Sequence, residues 1–265
     1  TSKIARNRDG LMYCQAKALI GKLGYMRKFL LTRVRLSWYF AFFFALYSVA
    51  AHFLPRHTFE SSALTLFSVN SFLYGFYISP ILGAQKGRVE ELHKIVRSEA
   101  NAIFDMMLAT KDMSDKTRTQ LQQMFTDYVQ KRMHSHQSAA EARYEAIITY
   151  CIEYKGADSE RVRKLLDKVV ANQQNRTALA MQMTNKVYSN EWMIMLMLFS
   201  ITLSFVLLLD TGGGMLLRFV TALLCTGLTM LLVILVKLST LTHKKATQIW
   251  KPFEKLNATH FYRID

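Results

Sequence analysis

The chain alternates between long stretches without charge and long stretches dense in it. From Leu36 to Leu54 there are 19 uncharged residues, LSWYFAFFFALYSVAAHFL, enough to cross a hydrocarbon core of roughly 30 Å at about 1.5 Å per helical residue. After a short PRHTFE connection, Ser61 to Gln85 gives 25 more uncharged residues. A third run extends from Trp192 to Leu209, turns through Asp210-Thr-Gly-Gly-Gly214, and returns from Met215 to Val236. A soluble helical protein can bury one such helix. Four, joined in pairs by tight turns, need a core this chain cannot surround. The expected fold is therefore all-α: an integral membrane protein with four transmembrane helices in two hairpins and a cytoplasmic helical bundle.

The middle of the chain has helical rather than transmembrane periodicity. Val89, Leu92, Val96, Ile103 and Met107 recur at three-, four- or seven-residue steps, which predicts that the second span continues as a helix beyond the bilayer. A break is expected near Thr110–Ser114, with Ser114 or Thr117 capping a helix that carries Leu121, Met124, Phe125, Tyr128 and Val129. Ser138 with Glu141 resembles a capping box for a third helix bearing Ile147, Ile148, Cys151 and Ile152. Gly156 punctuates, and Asp158 is placed to cap a long helix through Val162, Leu165, Val169, Leu179 and Met183 into the third span. The organisation is then a basic amphipathic arm (1–35), a first hairpin (36–85), a cytoplasmic helical domain (86–190), a second hairpin (191–238) and a cytoplasmic tail (239–265).

Charge sets the orientation. Of 34 Lys and Arg against 19 Asp and Glu, nine basic residues and one acid fall in residues 1–35. The two short turns hold only Arg56 and Arg218, opposed by Glu60 and Asp210. Basic residues gather on the cytoplasmic side, so both termini and residues 86–190 are expected there. The arm, with Leu11, Leu19, Leu23 and Leu30 among Lys17, Lys22, Arg27, Lys28 and Arg33, suits an anionic leaflet. A basic N-terminus before a run too long for a signal h-region predicts no cleaved leader.

Chemistry-bearing motifs are few. Gly212–Gly214 lack the following Lys-Ser/Thr of a P-loop, and His134 and His136 stand two apart with no third ligand. Cys14, Cys151 and Cys225 form no CxxC. Acidic residues lie on helix faces that also carry Lys and Arg, the pattern of a solvated bundle. No catalytic, cofactor or metal site is expected, the chain is not read as an enzyme, and nucleic-acid binding is not expected, since the basic arm offers few stacking groups, Tyr13 and Tyr25 among them.

The second span carries the most information. Phe72, Phe76 and Pro80 are four apart and Val69 lies one step before Phe72, so one stripe is apolar while Asn70, Ser71 and Ser79 lie off it. Such a stripe either packs within the subunit or forms, with copies of itself, a hydrophobic constriction that gates by dewetting.

The order of elements resembles the bestrophin superfamily, in particular the bacterial bestrophin-like proteins. Short matches accompany it: Phe67-Ser68 at the start of the second span, Arg88-x-x-Glu91 beyond it, Glu91 to Ala102, Asn175-Arg176 ahead of the third span, and Lys251-Pro252-Phe253 after the fourth. The resemblance implies a symmetric pentameric anion channel in a bacterial inner membrane, in contact with the lipid bilayer, conducting inorganic anions such as chloride. It places Phe72, Phe76 and Pro80 at a narrow neck on the second helix. Two departures stand out. The tail EKLNATHFYRID lacks the acidic cluster with which calcium-binding bestrophins follow Pro-Phe, and Pro80 replaces an aromatic position. The cytoplasmic excess of Lys and Arg favours anions. The competing expectation is a non-conducting oligomeric scaffold or sensor whose helical domain binds a soluble partner.

Overall fold

The computed structural model describes residues 34–55, 57–134, 137–210, 214–243 and 248–258. The basic arm of residues 1–33, Arg56, His136 and the Gly212–Gly213 turn lie outside them.

Among the described residues the helices, in order, are α1 (Leu36–Phe53), α2 (Ser61–Ala109), α3 (Asp115–His134), α4 (Gln137–Glu153), α5 (Ser159–Thr184), α6 (Ser189–Leu208), α7 (Met215–Ser239) and α8 (Lys251–Ala258). Four stretches of helix are long and apolar enough to cross a membrane: α1, α2, the α5–α6 stretch through its apolar C-terminal part, and α7. The protein is a membrane protein. The chain forms two compact units, one of residues 1–85 with 187–246, the other of 86–186 with 247–265.

In the first unit α1 packs chiefly on α7, and α6 also packs on α7. One cluster joins Tyr47 to Val206, Ala222 and Cys225, flanked by Phe43, Phe44 and Phe67. A second joins Tyr74 and Ile78 of α2 to Met195 of α6 and Leu232 and Leu235 of α7. Between apolar helices polar pairs act as local clasps. Thr229 donates to the Cys225 carbonyl (2.9 Å), which leaves the Tyr47 hydroxyl to donate to Thr229 Oγ1 (2.7 Å). Lys237, 5% exposed at the end of α7, donates to the Val34 carbonyl (2.7 Å) and lies 4.8 Å from the centre of the Tyr39 ring. The loops after α1 and α6 pair through His57 N–H to Leu208 O (2.9 Å) and Asp210 N–H to His57 O (3.0 Å).

In the second unit the apolar stripes expected from the periodicity are buried. Leu92, Val96 and Ile103 of α2, Leu121 and Phe125 of α3, Ile147 of α4, Leu165 and Val169 of α5, and Phe253 of α8 are all fully or almost fully buried. Each such side chain contributes on the order of 1.5–3 kcal/mol. Helix α8 returns onto α3, with Pro252 in its first turn, where a missing N–H is tolerated.

Several local expectations hold and several do not. Helix α2 runs unbroken through Pro80 to Ala109, and the break at 110–114 precedes α3. At Gly156 an added Cβ would meet the Tyr154 ring, which would have to shift to make room. Asp158 stands at the N-cap of α5 but makes no side-chain cap bond there. Its carboxylate instead accepts from the backbone N–H (2.9 Å) and hydroxyl (2.6 Å) of Ser114, so it serves the start of α3. The box expected at Ser138 falls on a side chain outside those described; α4 is described from Gln137, and the Glu141 carboxylate is engaged by Arg176. The helix from Asp158 does not run on into the third span. It stops at Thr184, and α6 starts afresh at Ser189, with Glu191 accepting from the Tyr188 N–H (3.0 Å). Arg88 stabilises that stop: its guanidinium donates to the carbonyls of Gln182 (2.7 Å) and Met183 (3.0 Å), placing positive charge at the C-terminal end of α5.

Candidate functional site

The stripe on α2 is decided by which face of the helix its neighbours cover. Tyr74 and Ile78, 2% and 3% exposed, fill the cluster with α6 and α7. Asn70, half-buried, points the same way: its amide donates to the Leu198 carbonyl (3.1 Å) and to Thr202 Oγ1 (2.8 Å), and Thr202 donates onward to Leu198 O (2.9 Å). Asn70 therefore holds α2 to α6 and is satisfied within the subunit. Ser71 Oγ is buried without a partner among the described residues.

The opposite face is bare. Val69, Phe72 and Phe76 are 52%, 69% and 70% exposed, and Pro80 is exposed with them. The Phe72 and Phe76 rings stack, with centroids 6.0 Å apart and planes at 19°. Steps of three and four carry the line on to Gly83, where an added Cβ would meet nothing within 4 Å. All four residues singled out in the sequence thus fall on one uncovered line of one helix. Pro80 also lacks the N–H that an α-helix aims at the carbonyl four residues earlier, that of Phe76.

The second unit holds a feature the sequence reading missed. Glu99, reckoned among the solvated acids, is 0% exposed. It accepts from the Tyr128 hydroxyl, and Arg132 Nη2 lies 3.4 Å from its other oxygen. Arg132 also lies 3.8 Å from Glu141, which Arg176 engages in turn. The Arg176 guanidinium sits 3.7 Å from the Tyr144 ring centre, and that of Arg132 lies 5.8 Å from the Trp250 ring. The Tyr144 hydroxyl donates to Val169 O (2.8 Å) and accepts from Asn172 (3.1 Å).

Two carboxylates and two guanidiniums, formally neutral together, thus link α2, α3, α4 and α5, with Trp250, just ahead of α8, over one edge. Burial pushes the Tyr128 and Tyr144 hydroxyls well above the usual phenol range, and for Tyr128 the Glu99 charge adds to the effect. Neither phenol is thereby suited to act as a base, and the network reads as an interlock. A signal for it was present. Glu99 falls in register with Leu92, Val96, Ile103 and Met106, Arg132 with Leu121, Phe125 and Tyr128, and Arg176 with Leu165, Val169, Asn172 and Leu179. Charges set in apolar stripes are buried charges.

Among the described residues no group of three or more His, Cys, Asp or Glu is arranged to hold a metal ion. No curated protein and no solved structure matches the chain. The Bestrophin-like domain matches residues 37–253, which is most of the chain, and the protein therefore belongs to the bestrophin superfamily.

Proposed function

We propose that the protein is an oligomeric, anion-preferring ion channel in which copies of α2 face a common axis and Val69, Phe72, Phe76 and Pro80 form a hydrophobic neck. The bare aromatic line carries this reading. One face of α2 is already occupied by α6 and α7, whereas Phe72 and Phe76 have little cover among the described residues. A ring of stacked phenyl groups, one pair per copy, narrows an axial path and expels water from it. The superfamily supports five copies. The resemblance to the bacterial bestrophin-like proteins supports an inner membrane, and the distribution of basic residues supports both termini and residues 86–190 as cytoplasmic and raises anion concentration at the cytoplasmic mouth. The division at residues 35, 85, 190 and 238 belongs to the same reading, with two hairpins embedded and the helical domain outside.

Reconstitution tests it. Purified protein of measured mass in liposomes should pass chloride, and Phe72→Ala with Phe76→Ala should raise the flux and admit larger anions without lowering thermal stability. An oligomer that passes no chloride in either form is a non-conducting scaffold instead. The Asn70 clasp is common to both readings and does not choose between them.

A further inference from the structure

Within the second unit, the polar half of α2 and the short helix α8 leave an open cleft of about 680 Å³ between them. Its two walls follow from helical spacing. On α2, His93, Arg97 and Phe104 lie on one line, and on α8 Lys251 and Lys255 are one turn apart, with Pro252 beside them. The volume falls in the range of about 300–1,000 Å³ typical of small-molecule sites. Three side chains with fixed positive charge and one imidazole line it, and among the described residues that line it none is acidic. The Asn101 and Gln248 amides add neutral hydrogen-bonding groups, and Phe104 with Pro252 supplies an apolar surface.

We propose that this cleft binds a phosphate ester, with Arg97, Lys251 and Lys255 holding the phosphate and Phe104 and Pro252 receiving the organic group. The guanidinium offers paired N–H donors that match two phosphate oxygens, and the ammonium groups add point charge. A site for chloride has no use for an apolar wall. An extended polyanion is better served by a flat basic face than by a concavity of this size. The cleft lies away from the aromatic line on α2 in sequence and shares no residue with it, so the proposal stands whether or not the protein conducts.

The test uses the full-length protein in detergent and three probes: phenyl phosphate, inorganic phosphate and phenol. Calorimetry should show phenyl phosphate binding about tenfold or more tightly than inorganic phosphate, a difference of about 1.4 kcal/mol, and phenol not at all. Binding should weaken as salt rises. Lys251→Glu with Lys255→Glu should abolish it, while Lys251→Arg with Lys255→Arg should retain it. Both lysines are exposed, and the melting temperature of each variant separates loss of binding from loss of fold. Phenyl phosphate binding that survives the double Glu change, or no binding by the parent and the Arg variant alike, overturns the proposal. Nanodiscs distinguish the source of the ester. If phosphatidylglycerol in a phosphatidylcholine disc competes with phenyl phosphate, a lipid headgroup is the occupant. If it does not, a soluble ester is.

Discussion

Replacing Glu99 with Leu tests whether the buried network holds the second unit together. The substitution keeps the side chain's approximate size, removes the acceptor of the Tyr128 hydroxyl, and leaves Arg132, 6% exposed, with Glu141 at 3.8 Å as its one remaining counter-ion among the described residues. Removing one partner of a buried ion pair costs about 3–5 kcal/mol, chiefly because the other charge is left in a medium that solvates it poorly. At roughly 2–4 °C per kcal/mol for a chain of this length, the melting temperature should fall by about 6–20 °C. The informative companion is Glu99→Leu with Arg132→Met. It removes one charge of each sign and leaves Glu141 with Arg176, so it should recover most of the loss, to within about 1–2 kcal/mol of the parent. The assay is retention of the monodisperse size-exclusion peak after heating in detergent. A single variant that melts with the parent, or a double variant that loses at least as much as the two single changes together, would refute the reasoning.

Asn70→Leu removes the clasp between α2 and α6 and should cost about 0.6–1.7 kcal/mol, as interhelical hydrogen bonds in membranes do; an unchanged melting temperature sinks that reading. Because burial raises the Tyr128 and Tyr144 hydroxyls, the unfolded chain ionises them first. Their contribution is fully present below about pH 10 and is lost as pH climbs through their folded values. Melting temperature should therefore decline above about pH 10, less steeply in Tyr128→Phe with Tyr144→Phe, and an identical slope in both proteins contradicts it. Burial pushes the Cys151 thiol up to about 11 and covers it, so in a Cys14→Ser background iodoacetamide at pH 8 should label the native protein only after denaturation; rapid labelling of Cys151 in the native protein counts against the packing described.

Much of this architecture was legible because hydrophobic length and period are strong signals. The run from Leu36 ends one residue from the end of α1, and α2 begins at Ser61, where the uncharged stretch does. The break before Asp115 was visible because Thr110–Ser114 interrupts a continuous stripe. The candidate line was legible for the same reason: Val69, Phe72, Phe76 and Pro80 share a face by spacing alone. What escaped depends on partners distant in sequence. Asp158 looked like the cap of its own helix, yet its carboxylate finds Ser114, 44 residues away. The stop at Thr184 carries no Gly or Pro, and the side chain that secures it, Arg88, comes from α2. Glu99 was counted with the acids of solvated helix faces, whereas the register of Glu99, Arg132 and Arg176 with buried Leu and Val was the better guide.

The interlock also constrains the order in which the protein can be made. Glu99 leaves the ribosome long before Arg132, Glu141 and Arg176, and Trp250 and Phe253 follow only after α7 is complete. Until that last segment arrives, the second unit lacks the aromatic edge over Arg132 and the fully buried Phe253. A nascent chain halted after α7 would thus hold all four apolar stretches and still present an unfinished core to chaperones and proteases. Cleavage or truncation just before Gln248 would act as a defect of maturation rather than of membrane insertion.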